Sequence, residues 1–137
     1  MYLRFVSTAI DPDSQCELGL FQASDLLADE SLDEFYREYL DELYDWFKQH
    51  MPVPDRLHRA WESRTDARTA ICWYKADADR FVGRMWELVA IYREYGLPIK
   101  LITTDRPGYV TYEDAYQIAA VPCSDTFSRV CPHRSWR

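Results

Sequence analysis

Hydrophobic and polar residues follow two different periods along this chain. Residues 2–8 are rich in β-branched and aromatic side chains and are followed by turn-forming residues at 11–13, which predicts a first β-strand. Residues 69–75 are almost continuously apolar, which is typical of a strand covered on both faces, and residues 99–103 form a further apolar strand. Three strands are therefore expected in these segments.

Apolar residues three and four positions apart predict three helices. The first begins at a capping box from Ser14 to Glu17 and extends as far as Asp29. The second begins at a capping box from Ser31 to Glu34 and ends before Pro52, because proline cannot continue the hydrogen-bond ladder. Its apolar stripe, which we expect to pack mainly against the sheet, consists of Leu32, Phe35, Tyr36, Tyr39, Leu40, Leu43, Trp46 and Phe47.

The third helix connects the two apolar strands. Asp77 or Asp79 can cap its start, and Gly96 followed by Pro98 is a typical helix end. A strand, a helix and a strand within about thirty residues predict a right-handed βαβ crossover with two parallel strands. Residues 109–112 and 116–121 then predict a β-hairpin.

These elements predict an α/β fold with a single mixed β-sheet. We expect about five strands that include one βαβ crossover and a C-terminal hairpin, with three main helices packed on the sheet. Residues 1–122 are expected to form one domain, with residues 52–69 as an ordered connector. Residues 123–137 are expected to form a basic tail that docks on the acidic helix or on a neighbouring chain, since the last twelve residues carry three arginines and no acid.

Composition matches an ordinary globular domain. The chain has 137 residues, of which 47% are hydrophobic and 28% charged. It has no apolar run of the roughly 18 residues that a membrane span requires, and its N-terminus lacks a signal-peptide pattern. We therefore expect a cytosolic protein with no membrane partner, whose four cysteines are free thiols.

Charge is distributed unevenly. The net charge is −7, and residues 11–45 hold twelve acids against one base, Arg37. This composition disfavours a nucleic-acid partner, which needs a basic surface. In the second helix, four acids fall opposite the apolar stripe and are expected to form a solvated ridge: Glu34, Glu38, Asp41 and Asp45. The ridge predicts a binding site for a basic protein partner, and the aromatic residues could support a homodimer.

Polar residues follow both strands of the predicted crossover. Asp77 and Asp79 come after the first strand, and Asp105 and Arg106 after the second. Loops at the carboxyl ends of parallel strands meet at one sheet edge, so these carboxylates could hold Mg²⁺ or Mn²⁺, with Lys75 or Arg106 balancing charge. Asp11 and Asp13 would join them if the first strand were also parallel.

The same aspartates have ordinary structural roles as well. Aspartate is common in turns and at helix caps because its short side chain bonds nearby backbone amides, and this explanation carries more weight. A second catalytic candidate is the hairpin, where Arg106 could clamp an anion and Glu113 or Asp114 could act as a general base.

The cysteines give weaker signals. Cys123, Cys131 and His133 could bind zinc, but the two cysteines are eight positions apart and three ligands leave a structural site incomplete. Cys72 lies inside an apolar strand and is expected in the core. Cys16 lies near a predicted helix start, but the acids around it disfavour a thiolate.

Two hypotheses remain open. The first is a small binding or regulatory protein that uses its acidic helical face to engage a basic partner. The second is a divalent-metal-assisted hydrolase or phosphoryl-handling enzyme, with Asp77, Asp79 and Asp105 as ligands or acid and base and Arg106 holding the substrate.

Overall fold

Seven strands and two α-helices make up the part of the chain that the structure describes. A computed structural model describes residues 1–10, 16–27, 32–51 and 70–122, and the backbone of residues 127–130. The strands are β1 (Tyr2–Ile10), β2 (Glu17–Gly19), β3 (Ile71–Lys75), β4 (Lys100–Arg106), β5 (Tyr109–Glu113), β6 (Gln117–Val121) and β7 (Phe127–Val130). The helices are α1 (Glu34–His50) and α2 (Asp79–Glu94), with a short 3-10 helix at Gln22–Leu26.

All strands belong to one antiparallel sheet with β1 at its centre. The order across the sheet is β5-β6-β3-β1-β4-β7, and β2 also pairs with β1. Tyr2 of β1 is paired with Lys75 of β3 on one side and with Thr104 of β4 on the other. The N-terminal strand therefore forms antiparallel ladders with both strands that flank α2.

The predicted βαβ crossover between adjacent parallel strands is wrong. Strands β3 and β4 run in the same direction, because each is antiparallel to β1, but β1 lies between them. Local periodicity does not specify which strands pair, and insertion of β1 gives both of its edges hydrogen-bonding partners. The sheet is accordingly antiparallel, not mixed, at every paired neighbour.

The prediction of three main helices is also wrong, since the described chain has two α-helices. The described part of the segment predicted as the first helix, residues 16–27, forms β2 and the 3-10 helix instead. Gly19 is a poor helix former, and it pairs with Val6 of β1. Pairing with a neighbouring strand has overridden the weak helical pattern.

Asp11, Asp13 and the connector at 52–69 lie outside the described residues.

The remaining elements agree with the sequence pattern. Strand β1, helices α1 and α2, and the hairpin of β5 and β6 are confirmed. Helix α2 ends as predicted: Gly96 has a φ of 79°, its N–H donates to the Arg93 carbonyl at 3.0 Å, and the Leu97 N–H donates to the Tyr92 carbonyl at 2.9 Å. Its start differs, because the cap residue is Ala78 and no side chain caps the helix.

Both faces of the sheet are buried. The helical face packs against α1 and α2 through residues that include Phe5, Leu43, Phe81, Met85 and Leu88. The opposite face holds a second cluster made of Val6, Ile71, Trp73, Ile102, Ile118 and Ala120. The predicted coverage of β3 on both faces is therefore confirmed.

At Arg4 the strand that pairs with one side of β1 changes from β3 to β2, and we call this place the division of the sheet. Strand β1 pairs with β3 only through Tyr2 and Leu3, and from Val6 onward the same side of β1 pairs with β2. The Arg4 guanidinium spans this division: Nη1 donates to the Cys72 carbonyl at 3.0 Å and Nη2 donates to the Glu17 carbonyl at 2.7 Å. Arg4 thereby satisfies carbonyls of two strands that do not pair with each other here.

No helix in the described part of the chain has the length and apolar character that crossing a membrane requires.

Candidate functional site

The acidic ridge of α1 is exposed along its whole length. Glu34, Glu38, Asp41 and Asp45 are four, three and four positions apart, a spacing that places them on one side of a helix with 3.6 residues per turn. All four side chains are exposed. Leu40, Leu43 and Phe47 of the same helix are buried, so the ridge faces away from the core.

The ridge carboxylates form no ion pair with any residue that the structure describes. Lys75, Arg84 and the N-terminal ammonium make the ion pairs of the described chain, and these pairs involve other acids. The negative charge of the ridge is therefore directed to solvent, where it attracts cations over about one Debye length, or 8–10 Å.

An aromatic residue beside the ridge is not in the core. Phe35 was expected in the buried stripe, but its side chain is 68% exposed. Its ring lies edge-on to Tyr36 and Tyr39, with centroids at 5.4 and 6.3 Å. A helix turns about 100° per residue, so Phe35 projects next to Glu34 and Glu38 on the flank of the ridge.

Tyr39 is held in place by a neighbouring helix. Its hydroxyl donates to Glu87 Oε1 of α2 at 2.6 Å, and this hydrogen bond, together with partial burial, raises the pKa of Tyr39. Glu87 also pairs with Arg84 at 3.3 Å. Phe35 thus rests on an aromatic neighbour that is itself anchored to α2.

A second polar cluster lies where β3 ends. Lys75 Nζ contacts Glu113 Oε2 at 2.7 Å, and the Met1 ammonium contacts Asp105 Oδ1 at 3.5 Å. A shallow depression of about 380 Å³ is lined by Met1, Tyr2, Lys75, Ala76, Asp77 and Glu113. The predicted residues Asp77 and Glu113 therefore share a concave surface, and Asp79, Asp105 and Arg106 do not line it.

The predicted carboxylate cluster for Mg²⁺ or Mn²⁺ does not form. Because β1 separates β3 from β4, their ends are two strand spacings apart, which is about 10 Å. Asp79 is exposed in the first turn of α2, and Asp105 is exposed at the end of β4. Among the described residues, no group of three or more His, Cys, Asp or Glu side chains could hold a metal ion.

The hairpin acids have structural partners. Asp114 accepts hydrogen bonds from the backbone N–H groups of Tyr116 and Gln117 at 2.7 and 3.0 Å, from the Tyr112 hydroxyl at 2.8 Å and from the Gln117 amide at 3.1 Å. Although burial opposes it, these four bonds lower the pKa of Asp114. A carboxylate with a lowered pKa is a weak base, so the general-base hypothesis for Asp114 loses its physical support.

Lys75 forms an ion pair at this end of the sheet, and Arg106 lies exposed at the end of β4. The hydrogen bond to Glu113 raises the pKa of Lys75, so this pair is stabilised in its charged form. Arg106 is exposed, and its backbone N–H donates to Thr104 Oγ1 at 3.0 Å while its backbone pairs with Phe127 of β7. The anion clamp by Arg106 remains a prediction.

The cysteines are only partly covered by the structure. Cys16 and Cys72 are half-buried and are not joined in a disulfide, which agrees with the predicted thiols. Cys123, Cys131 and His133 of the zinc hypothesis lie outside the described residues.

Sequence patterns missed two residues. Phe35 fits the spacing of the buried stripe, and only the packing of α1 leaves it exposed. Arg4 is a buried charge at a strand position where its neighbours are apolar, and this interruption of the pattern was the available signal.

No family model matches this chain, and no curated protein or solved structure matches it either. Function is therefore inferred from the geometry and charge of the chain itself.

Proposed function

We propose that this protein is a binding or regulatory protein whose α1 surface engages a basic protein partner. The binding surface consists of the acidic ridge, Glu34, Glu38, Asp41 and Asp45, together with Phe35. The observation that carries the proposal is the 68% exposure of Phe35 beside four exposed carboxylates that pair with no described residue.

Exposed aromatic rings and charged rims have complementary roles in recognition. An aromatic side chain that enters a partner's pocket contributes much of the affinity of an interface. Charges around it mainly accelerate association and select partners of opposite sign. The fitting partner is a protein surface with lysines or arginines around an apolar pocket.

A symmetric homodimer through this surface is disfavoured. In a two-fold dimer the same patch meets itself, which would bring two rows of carboxylates together. Like charges that face each other are destabilising, and no basic row on α1 offsets them. A homodimer would therefore use a different surface.

The alternative, a metal-assisted hydrolase or phosphoryl-handling enzyme, has weaker support. Its three aspartates, Asp77, Asp79 and Asp105, do not form a ligand group. The depression at the end of β3 favours at most weak ligand contact there, because it is shallow and its lysine already pairs with Glu113.

A charge-matched pair of variants tests the binding proposal. The double variant Glu38→Gln and Asp41→Asn removes two charges from the ridge, and Asp79→Asn with Glu94→Gln removes two from exposed positions of α2. The probe is a fluorescein-labelled amphipathic peptide of lysine and leucine, measured by fluorescence anisotropy at low salt. The ridge variant should bind about tenfold more weakly than wild type and the control within about twofold.

Phe35→Ser provides a second arm without a change of charge. It should also weaken peptide binding, by about tenfold, because it removes the apolar anchor. The proposal would fail if the double ridge variant and Phe35→Ser both bound the peptide as tightly as the α2 control.

A further inference from the structure

Among the described residues that line a second, partly enclosed cavity, Arg4 is the one with a formal charge. The cavity lies at the division of the sheet and has a volume of about 120 Å³. Its other walls are neutral and include Gly19, Leu20, Gln22 and Cys72. A single positive charge in a small neutral cavity favours a ligand with one negative charge.

Arg4 forms no ion pair with a described carboxylate, although the charge of Glu17 acts on it from a longer distance and favours its protonated form. Arg4 is only 5% exposed, and its two hydrogen-bond acceptors are the uncharged carbonyls of Cys72 and Glu17. Burial lowers the pKa of the guanidinium, as expected for a cation that is only partly compensated. An arginine nevertheless remains protonated, so the charge persists.

Hydrogen-bond donors remain available around the cavity. A guanidinium has five N–H donors, and the two carbonyls accept from Nη1 and Nη2. Gln22 Oε1 accepts from the Gly19 N–H at 3.2 Å, which leaves the amide NH₂ group of Gln22 as a further donor. No described residue accepts from that NH₂ group.

We propose that this cavity binds a short-chain carboxylate of about the size of acetate or propionate. A cavity of about 120 Å³ is below the usual size of a site for a drug-sized ligand, which favours a small ligand. Arginine binds a carboxylate with two parallel hydrogen bonds, and Gln22 can donate a third. Leu20 and Ile71 in the lining supply apolar contacts for the short alkyl chain.

Binding at this position has a structural consequence. Arg4 connects the carbonyls of β2 and β3 across the division of the sheet. An anion that neutralises the buried charge therefore stabilises the folded sheet and not the unfolded chain. The ligand should raise the melting temperature.

Thermal melting at constant ionic strength tests the proposal. Sodium propionate should raise the melting temperature of the wild type by about 4 °C at ten times its dissociation constant. Propionamide, which has the same shape without the charge, and sodium chloride should give no rise. Isothermal titration calorimetry at 25 °C should detect binding of propionate and no binding of propionamide or chloride.

Two alanine variants separate a specific site from general stabilisation. A Cβ at Gly19 would lie 3.3 Å from Arg4 Nη1, so Gly19→Ala places a methyl group against the guanidinium, in a backbone conformation that alanine tolerates. This variant should lose at least tenfold in propionate affinity. Gly83→Ala, where the new methyl group would meet nothing within 4 Å, should respond like wild type.

Three results would overturn the proposal. One is a flat melting response of the wild type up to 100 mM propionate. Another is an undiminished response of Gly19→Ala. The third is an equal rise with sulfate and phosphate, which would indicate a general anion effect and not recognition of a carboxylate.

Discussion

Single residues determine the backbone path in the two turns between β4 and β6, with Gly108 before β5 and Asp114 after it. Gly108 has a φ of 112°, and a Cβ at this position would overlap the carbonyl oxygen of Val121. Asp114 closes the hairpin through four hydrogen bonds to residues two and three positions away. Each residue has a role that one substitution can test.

Gly108→Ala should destabilise the protein by about 3 kcal/mol, because alanine is strained at this φ and its methyl group collides with backbone. Gly83→Ala is the matched control. Gly83 is exposed inside α2 with open space around it, so alanine should stabilise the protein by about 0.5–1 kcal/mol. Urea denaturation measures both, and equal midpoints for the two variants would refute the role of Gly108.

Asp114→Asn should cost about 2 kcal/mol at pH 7, because the charge-assisted hydrogen bonds of the carboxylate are lost. The folded-state pKa of Asp114 is lowered, so its contribution is present above its unfolded pKa of about 3.9 and is lost as pH falls through the folded value. The difference between wild type and variant should shrink below about pH 4. Denaturation at pH 7 and pH 3 compares them, and a difference that does not change with pH would contradict this role.

At the scale of elements, α1 has a buried face and an exposed face. Leu40, Leu43 and Phe47 pack into the core, and Tyr44 and Tyr92 place their hydroxyl groups 2.7 Å apart between α1 and α2. The other face carries the acidic ridge with Phe35. Stability and binding should therefore respond to different substitutions in the same helix.

Leu43→Ala should destabilise the protein by about 3 kcal/mol, since it leaves a cavity in the core. Phe35→Ser should change stability by no more than about 0.5 kcal/mol, because the ring is mostly exposed. Thermal or urea denaturation distinguishes the two outcomes. A loss at Phe35 comparable to the loss at Leu43 would mean that Phe35 supports the fold instead of a partner surface.

At the scale of the whole molecule, β1 is the strand that connects the two halves of the sheet. It pairs with β2, β3 and β4, whereas β5 lies at one end of the strand order and, among the described strands, pairs with β6 alone. Strands whose two edges are paired and whose faces are buried open only when the whole domain unfolds. Stability should therefore decrease from β1 towards β5.

Native-state hydrogen exchange measures this gradient. Amide protons of β1 that donate to β4 should be the slowest group, with opening free energies equal to that of global unfolding. Amides of β5 that do not pair with β6 should exchange much faster. Equal protection in both strands would show that the sheet opens as a single cooperative unit, which would contradict the predicted gradient.

The sequence by itself determined the positions of most elements. The apolar runs at 69–75 and 99–103, the helical periods of α1 and α2 and the Gly96-Pro98 helix end specify local structure, because each depends on neighbours a few residues away. It also specified the acidic row of α1, since positions four and three apart share a face of any helix.

Only the tertiary structure decided which strands are neighbours. The insertion of β1 between β3 and β4 depends on contacts between residues about 70 and 100 positions apart, and no local pattern encodes that pairing. The same insertion separates Asp77 from Asp105 and places Arg4 at the division of the sheet, and the pairing of Gly19 with β1 replaces part of the first predicted helix with β2. Local periodicity fixes the secondary structure of a segment, whereas the pairing of distant segments is set by the burial and hydrogen bonding of the complete chain.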